Sequence, residues 1–126
     1  SNYIKLIKKI RSRNITNTIV SASKFCENLE NYIARALKIN TQVVIVSISL
    51  PDQTFLQKNP KIMCNVNKYN LIIRQLGEKY NHVNITIPLN PKDYKFPVYE
   101  DGYHPNTNGH RIIFESLKEI LQNINE

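Results

Sequence analysis

Apolar positions along the chain fall into two rhythms. Tyr3, Ile4, Leu6, Ile7 and Ile10 recur at helical spacing with basic residues between them, and the polar stretch 14–17 breaks that pattern. A second helical stripe, Ala22, Phe25, Cys26, Leu29, Ile33, Ala36 and Leu37, predicts a helix with Ser21 or Ser23 as its N-cap. Next comes Val43-Val44-Ile45-Val46-Ser47-Ile48, a nearly unbroken β-branched run. Such a run expects a strand covered on both faces, as in parallel sheets. Pro51 ends it, and a polar loop is expected through Asn59-Pro60. Val66, Tyr69, Ile73, Leu76 and Tyr80 then mark a helix over 62–80, with Gly77 loosening its last turn. Val83-Asn84-Ile85-Thr86-Ile87 is the second strand, stopped by Pro88. The last helix, over 107–123, turns Ile112, Ile113, Leu117, Ile120, Leu121 and Ile124 inward.

Strands alternating with helices imply an α/β fold with right-handed crossovers. Yet two parallel strands make a poor sheet, and a strand as apolar as 43–48 expects neighbours on both sides. The pattern therefore reads as the second half of a domain. Its remaining strands are expected from an upstream segment, a cleaved companion chain or a symmetry mate.

The 126 residues suit one domain, and 41% hydrophobic with 21% charged residues is an ordinary globular balance. No apolar run is long enough to cross a bilayer, and no signal-peptide core opens the chain. A soluble protein is expected, with the cytoplasm favoured over secretion. Asn-Ile-Thr sequons at Asn14 and Asn84 are too cheap in an Asn-rich chain to argue otherwise. The net charge is +7, and Lys5, Lys8, Lys9, Arg11 and Arg13 cluster near the start. No RNP-like, zinc-finger or helix-turn-helix signature accompanies that charge, so a solvated basic face is expected rather than nucleic-acid binding. Cys26 and Cys64 lack C-x-x-C spacing and are expected to be unpaired thiols.

Chemistry concentrates between Glu100 and His110, in Asp101-Gly102-Tyr103-His104-Pro105-Asn106-Thr107-Asn108-Gly109. An Asp three residues before a His can fold back across a tight turn and accept the Nδ1 proton of the imidazole. That fixes the tautomer and leaves Nε2 free as a general base. Gly102 lets the turn reach positive φ, and Pro105 biases His104 towards extended geometry, outside the following helix. Asn106 is placed to cap that helix, and Gly109 gives its first turn a small face. An isolated D-x-x-H is most often an incidental surface pair. The added Gly, His-Pro step, cap and amphipathic helix favour a catalytic reading here.

The stretch DGYHPNTNGHRIIFESL resembles the last conserved block of SGNH/GDSL hydrolases, in which D-x-x-H-P precedes the final helix. Upstream, VVIVSISLP as a central strand and a helix containing Tyr69-Asn70 agree by pattern. The resemblance implies a flavodoxin-like three-layer α/β/α fold with a parallel sheet, of which this chain supplies about two strands and the last helices. It also implies hydrolysis of esters, often acetyl groups on sugars or acyl chains on lipids, by a Ser-His-Asp triad without cofactor. His104 would be the general base and Asp101 its orienting partner.

The family's nucleophile block, its oxyanion-hole Gly and its Gly-x-Asn-Asp block are absent from these residues. Ser47 and Ser49 lie in or after a strand without a Gly-x-Ser-x-Gly elbow, Ser21 and Ser23 read as helix caps, and Ser116 reads as a helix-surface residue. The chain alone is thus expected to be inactive, its serine coming from an N-terminal portion or a companion chain. The alternative is a non-catalytic binding module or companion subunit of the same fold. Asp101, His104 and His110 match no common zinc spacing, so no metal is expected, and His82 reads as structural. Tyr94, Phe96, Tyr99 and Tyr103 crowd the long loop 89–103. Tyr99 and Tyr103 are the candidates for a substrate wall or sugar-stacking platform.

Overall fold

In the computed structural model, residues 20–125 are described. The expected helix around residues 3–10, with its basic cluster, lies outside them. Helix α1 spans Ala22–Lys38. Of the two candidate caps it is Ser21 that acts, its Oγ accepting the Lys24 N–H at 3.2 Å. Ile33 and Ala36 form its buried face. Leu37, expected on that face, is exposed instead, because the stripe rotates away from the core as the helix ends.

Strands β1 (Val43–Ile45) and β2 (Val83–Ile85) pair in parallel with Val43 opposite Val83 and Ile45 opposite Ile85. Both strands are shorter than the apolar runs. Beyond Ile45, side chains take over from the backbone: the Ser47 N–H donates to Thr86 Oγ1 at 2.9 Å, and the Ser47 hydroxyl donates to the Thr86 carbonyl. Asn70 holds both backbone groups of Ile48, each at 2.8 Å. The two segments still run side by side, since Leu50 N–H reaches the Leu89 carbonyl at 2.7 Å.

The crossover between the strands contains two helices. The stretch expected to be a polar loop holds α2 (Gln53–Lys58), capped by Asp52 Oδ1 on the Phe55 N–H at 3.0 Å. Helix α3 (Ile62–Lys79) follows, with Val66, Ile73 and Leu76 buried. Gly77 does not loosen this helix. A Cβ there would stand 3.1 Å from Ile85 Cγ2, so the glycine lets α3 lie close on β2. Ile33, Ala36, Val43, Leu76 and Val83 form the core. Phe25 against Tyr69, with centroids 4.8 Å apart, and Glu30 with Lys79 at 2.6 Å tie α1 to α3.

After a 3-10 turn (Pro91–Asp93), helix α4 spans Thr107–Ile124. Gly109 is its buried residue, while Ile112, Ile113, Leu117, Ile120 and Ile124 are half-buried. Leu121, expected inward, is exposed. A groove of about 770 Å³ separates this helix from the segments after the strands, with Val46 and Ile87 on one wall and Arg111, Ile112 and Glu115 on the other. Ile87 is 86% exposed. The fold is thus mixed α/β and mostly helical, well packed on the α1–α3 side and open towards α4. No described helix is long and apolar enough to cross a membrane.

Candidate active site

The Asp101–His104 turn is assembled from three parts of the chain. Within it, the Gly102 N–H bonds the Tyr99 carbonyl at 2.9 Å, and Gly102 adopts φ 77°, a conformation natural to glycine. From the crossover, Asp52 N–H donates to the Gly102 carbonyl at 2.8 Å. A Cβ on Gly102 would fall 1.9 Å from Asp52 Oδ1, so only glycine fits against the α2 cap. From the preceding loop, Tyr99 N–H donates to the His104 carbonyl at 3.0 Å, beside an antiparallel bridge between Val98 and Pro105.

Asn106 locks the turn to α4. Its Oδ1 caps the helix on the Gly109 N–H at 3.0 Å, as expected from sequence. Its Nδ2 also donates to the carbonyls of Phe96 and Val98, at 2.7 and 3.1 Å. Gly109 is needed for this approach, because a Cβ there would sit 2.1 Å from the Pro97 carbonyl oxygen.

Inside this frame Asp101 closes on His104. One carboxylate oxygen accepts the backbone N–H groups of Tyr103 and His104 at 2.9 and 3.0 Å. The other meets His104 Nδ1 at 2.6 Å. The Tyr103 backbone N–H, then the His104 ring, then its backbone N–H hold the Asp101 carboxyl down to about 2. The carboxylate is therefore ionised near neutrality and acts only as an acceptor. Such an acceptor favours the Nδ1–H tautomer of a neutral imidazole, the form that leaves the Nε2 lone pair unused. The pair is open to solvent, with 70% of the His104 side chain and 47% of the Asp101 side chain accessible.

Of the two candidate wall residues, Tyr103 has much of its ring engaged within the chain. It stacks on Phe55 at 5.0 Å and meets the His104 ring edge-on at 5.4 Å, so it is half-buried support for the histidine. Tyr99, by contrast, is 58% exposed. Phe55 and Asp52 were missed in the sequence. The available signal was Pro51-Asp52 followed by Phe55, the spacing of an Asp helix cap.

The serines are placed elsewhere. Ser47 is buried and committed to Thr86, Ser21 caps α1, and Ser116 lies on α4 beside the groove. None of the described serines hydrogen-bonds His104. His110 is exposed on α4, whereas His82 Nε2 is buried without a hydrogen-bond partner and its ring faces Tyr80. Cys26 and Cys64 are free thiols. Among the described residues no group of three or more His, Cys, Asp or Glu is arranged to hold a metal.

What the site defines is a class of chemistry: an exposed imidazole whose Nδ1 faces an ionised carboxylate, on a mixed α/β chain. Comparison with protein-family models, with curated proteins and with solved structures finds no match.

Proposed function

We propose that the chain supplies the histidine and aspartate of an SGNH/GDSL-type ester hydrolase whose nucleophilic serine comes from a further segment or a companion chain. The observation that carries this reading is the 2.6 Å contact from Asp101 to His104 Nδ1, within a turn that fixes both residues. The open groove beside α4 and the exposed Ile87 support a sheet that other polypeptide extends, giving a flavodoxin-like three-layer α/β/α domain.

In this reading the serine hydroxyl attacks the ester carbonyl carbon as its proton passes to His104 Nε2. The tetrahedral adduct then breaks its bond to the alcohol oxygen, which leaves with the proton from Nε2. Water attacks the resulting acyl-serine, again losing a proton to His104. Collapse returns that proton to the serine and releases the acid. Asp101 stays ionised throughout, supporting the imidazolium and holding the ring in place.

The test compares p-nitrophenyl acetate hydrolysis by residues 1–126 alone and by the chain together with its nucleophile segment. Turnover is expected only from the latter. His104→Ala should lower it by a factor on the order of 10³ or more. Turnover by residues 1–126, or full activity without the imidazole, contradicts the proposal. Persistent inactivity of the complete protein would favour a non-catalytic module.

A further inference from the structure

We infer that Phe55, on the crossover helix α2, is a positioning residue for His104. Acting through the Tyr103 ring, it sets the direction in which Nε2 points. Its effect on rate rests on the hydrolase reading; its effect on the ring does not.

The Asp101 carboxylate fixes one atom of the imidazole, Nδ1, at 2.6 Å. A single hydrogen bond tolerates a range of angles, so the ring can still rock about that contact and carry Nε2 through an arc. With 70% of the His104 side chain in solvent, packing does not close that freedom. The second restraint is Tyr103, whose ring meets the imidazole edge-on, with centroids 5.4 Å apart and planes at 76°. An edge-to-face pair has a preferred geometry, and it acts on the ring plane that the hydrogen bond leaves loose.

Tyr103 restrains its neighbour only as far as it is held itself. Its ring stacks on Phe55, with centroids 5.0 Å apart and planes at 27°. Phe55 is in turn tied to the same turn through Asp52. The Asp52 carboxylate accepts the Phe55 N–H at 3.0 Å, and the Asp52 N–H donates to the Gly102 carbonyl at 2.8 Å. One residue thus sets the backbone of Phe55 against the backbone of the catalytic turn, and the ring stack closes the circuit between them. Helix α2 has six residues and buries none of them, and Phe55 itself is half-buried. A helix that short adds little stability of its own. The ring of Phe55 is spent on Tyr103 rather than on the core.

Proton NMR of residues 1–126 tests the positioning. Cross-peaks between the Tyr103 and His104 rings, and the ring-current shifts of His104, should weaken in Phe55→Ala and Phe55→Leu. Phe55→Tyr keeps a stacking ring and should restore them. The Nδ1–H tautomer favoured by Asp101 should survive Phe55→Leu, since its hydrogen bond is untouched. Leu56→Ala removes a half-buried neighbour on the same helix and should leave the His104 signals unchanged. In the chain completed by its nucleophile segment, Phe55→Leu should lower kcat about fivefold while KM stays within about twofold, and Phe55→Tyr should recover the rate. His104 signals that ignore both Phe55→Ala and Phe55→Leu, or that respond equally to Leu56→Ala, would overturn the positioning role. So would an active completed protein whose kcat ignores Phe55→Leu. A completed protein without esterase activity would contradict the hydrolase reading alone, and the ring signals would still decide the role of Phe55.

Discussion

Between Phe96 and Gly109 the chain is fixed from three directions, whereas one turn further along α4 the apolar residues have little against them. The first region has its carbonyls tied by Asn106, its turn seated on the Asp52 cap, and its glycines in spaces that admit no Cβ. The second lines a groove, with Leu121 in solvent and Ile120 only half-buried. The histidine is positioned by contacts the chain makes with itself. The helix behind it keeps only part of its apolar face under cover among the described residues. Precision at the site and completeness of the core are separate properties here.

Substitutions should break this contrast in graded steps. Gly102→Ala should be the most damaging to stability, because it strains a positive φ and displaces Asp52 from its cap. A loss of roughly 2–4 kcal/mol is expected from denaturant midpoints. A change below about 0.5 kcal/mol would mean the turn is not seated on α2. Asn106→Ala removes the helix cap and two ties to the loop, and should cost about 1–2 kcal/mol in the same experiment. At the other end of α4, Leu121→Gln should shift stability by no more than about 0.5 kcal/mol in residues 1–126. A large loss there would show that the face is already covered, and the contrast would vanish.

How much of this was legible in the sequence depended on the range of the interaction. Asp101 and His104 meet across three residues, so a local reading of Gly, Pro and the Asn cap found them. The ends of the strands were not legible, because Ser47 finds Thr86 and Ile48 finds Asn70 across long stretches of chain. No periodicity records such pairs. Helix α2 was missed because six residues are too few to display a helical stripe. Tyr103 was read as a candidate substrate wall because its stacking partner, Phe55, is distant in sequence. The apolar face of α4 was read correctly as a stripe, but its degree of cover is set by what stands opposite, which a stripe does not encode.

The orientation of one imidazole is the claim on which the functional reading depends, and long-range ¹H–¹⁵N correlation of the His104 ring measures it directly. At a pH where the ring is neutral, the account predicts the Nδ1–H tautomer in the native protein, lost or mixed in Asp101→Asn. A native ring carrying its proton on Nε2, or a tautomer that ignores the Asp101 substitution, would contradict it.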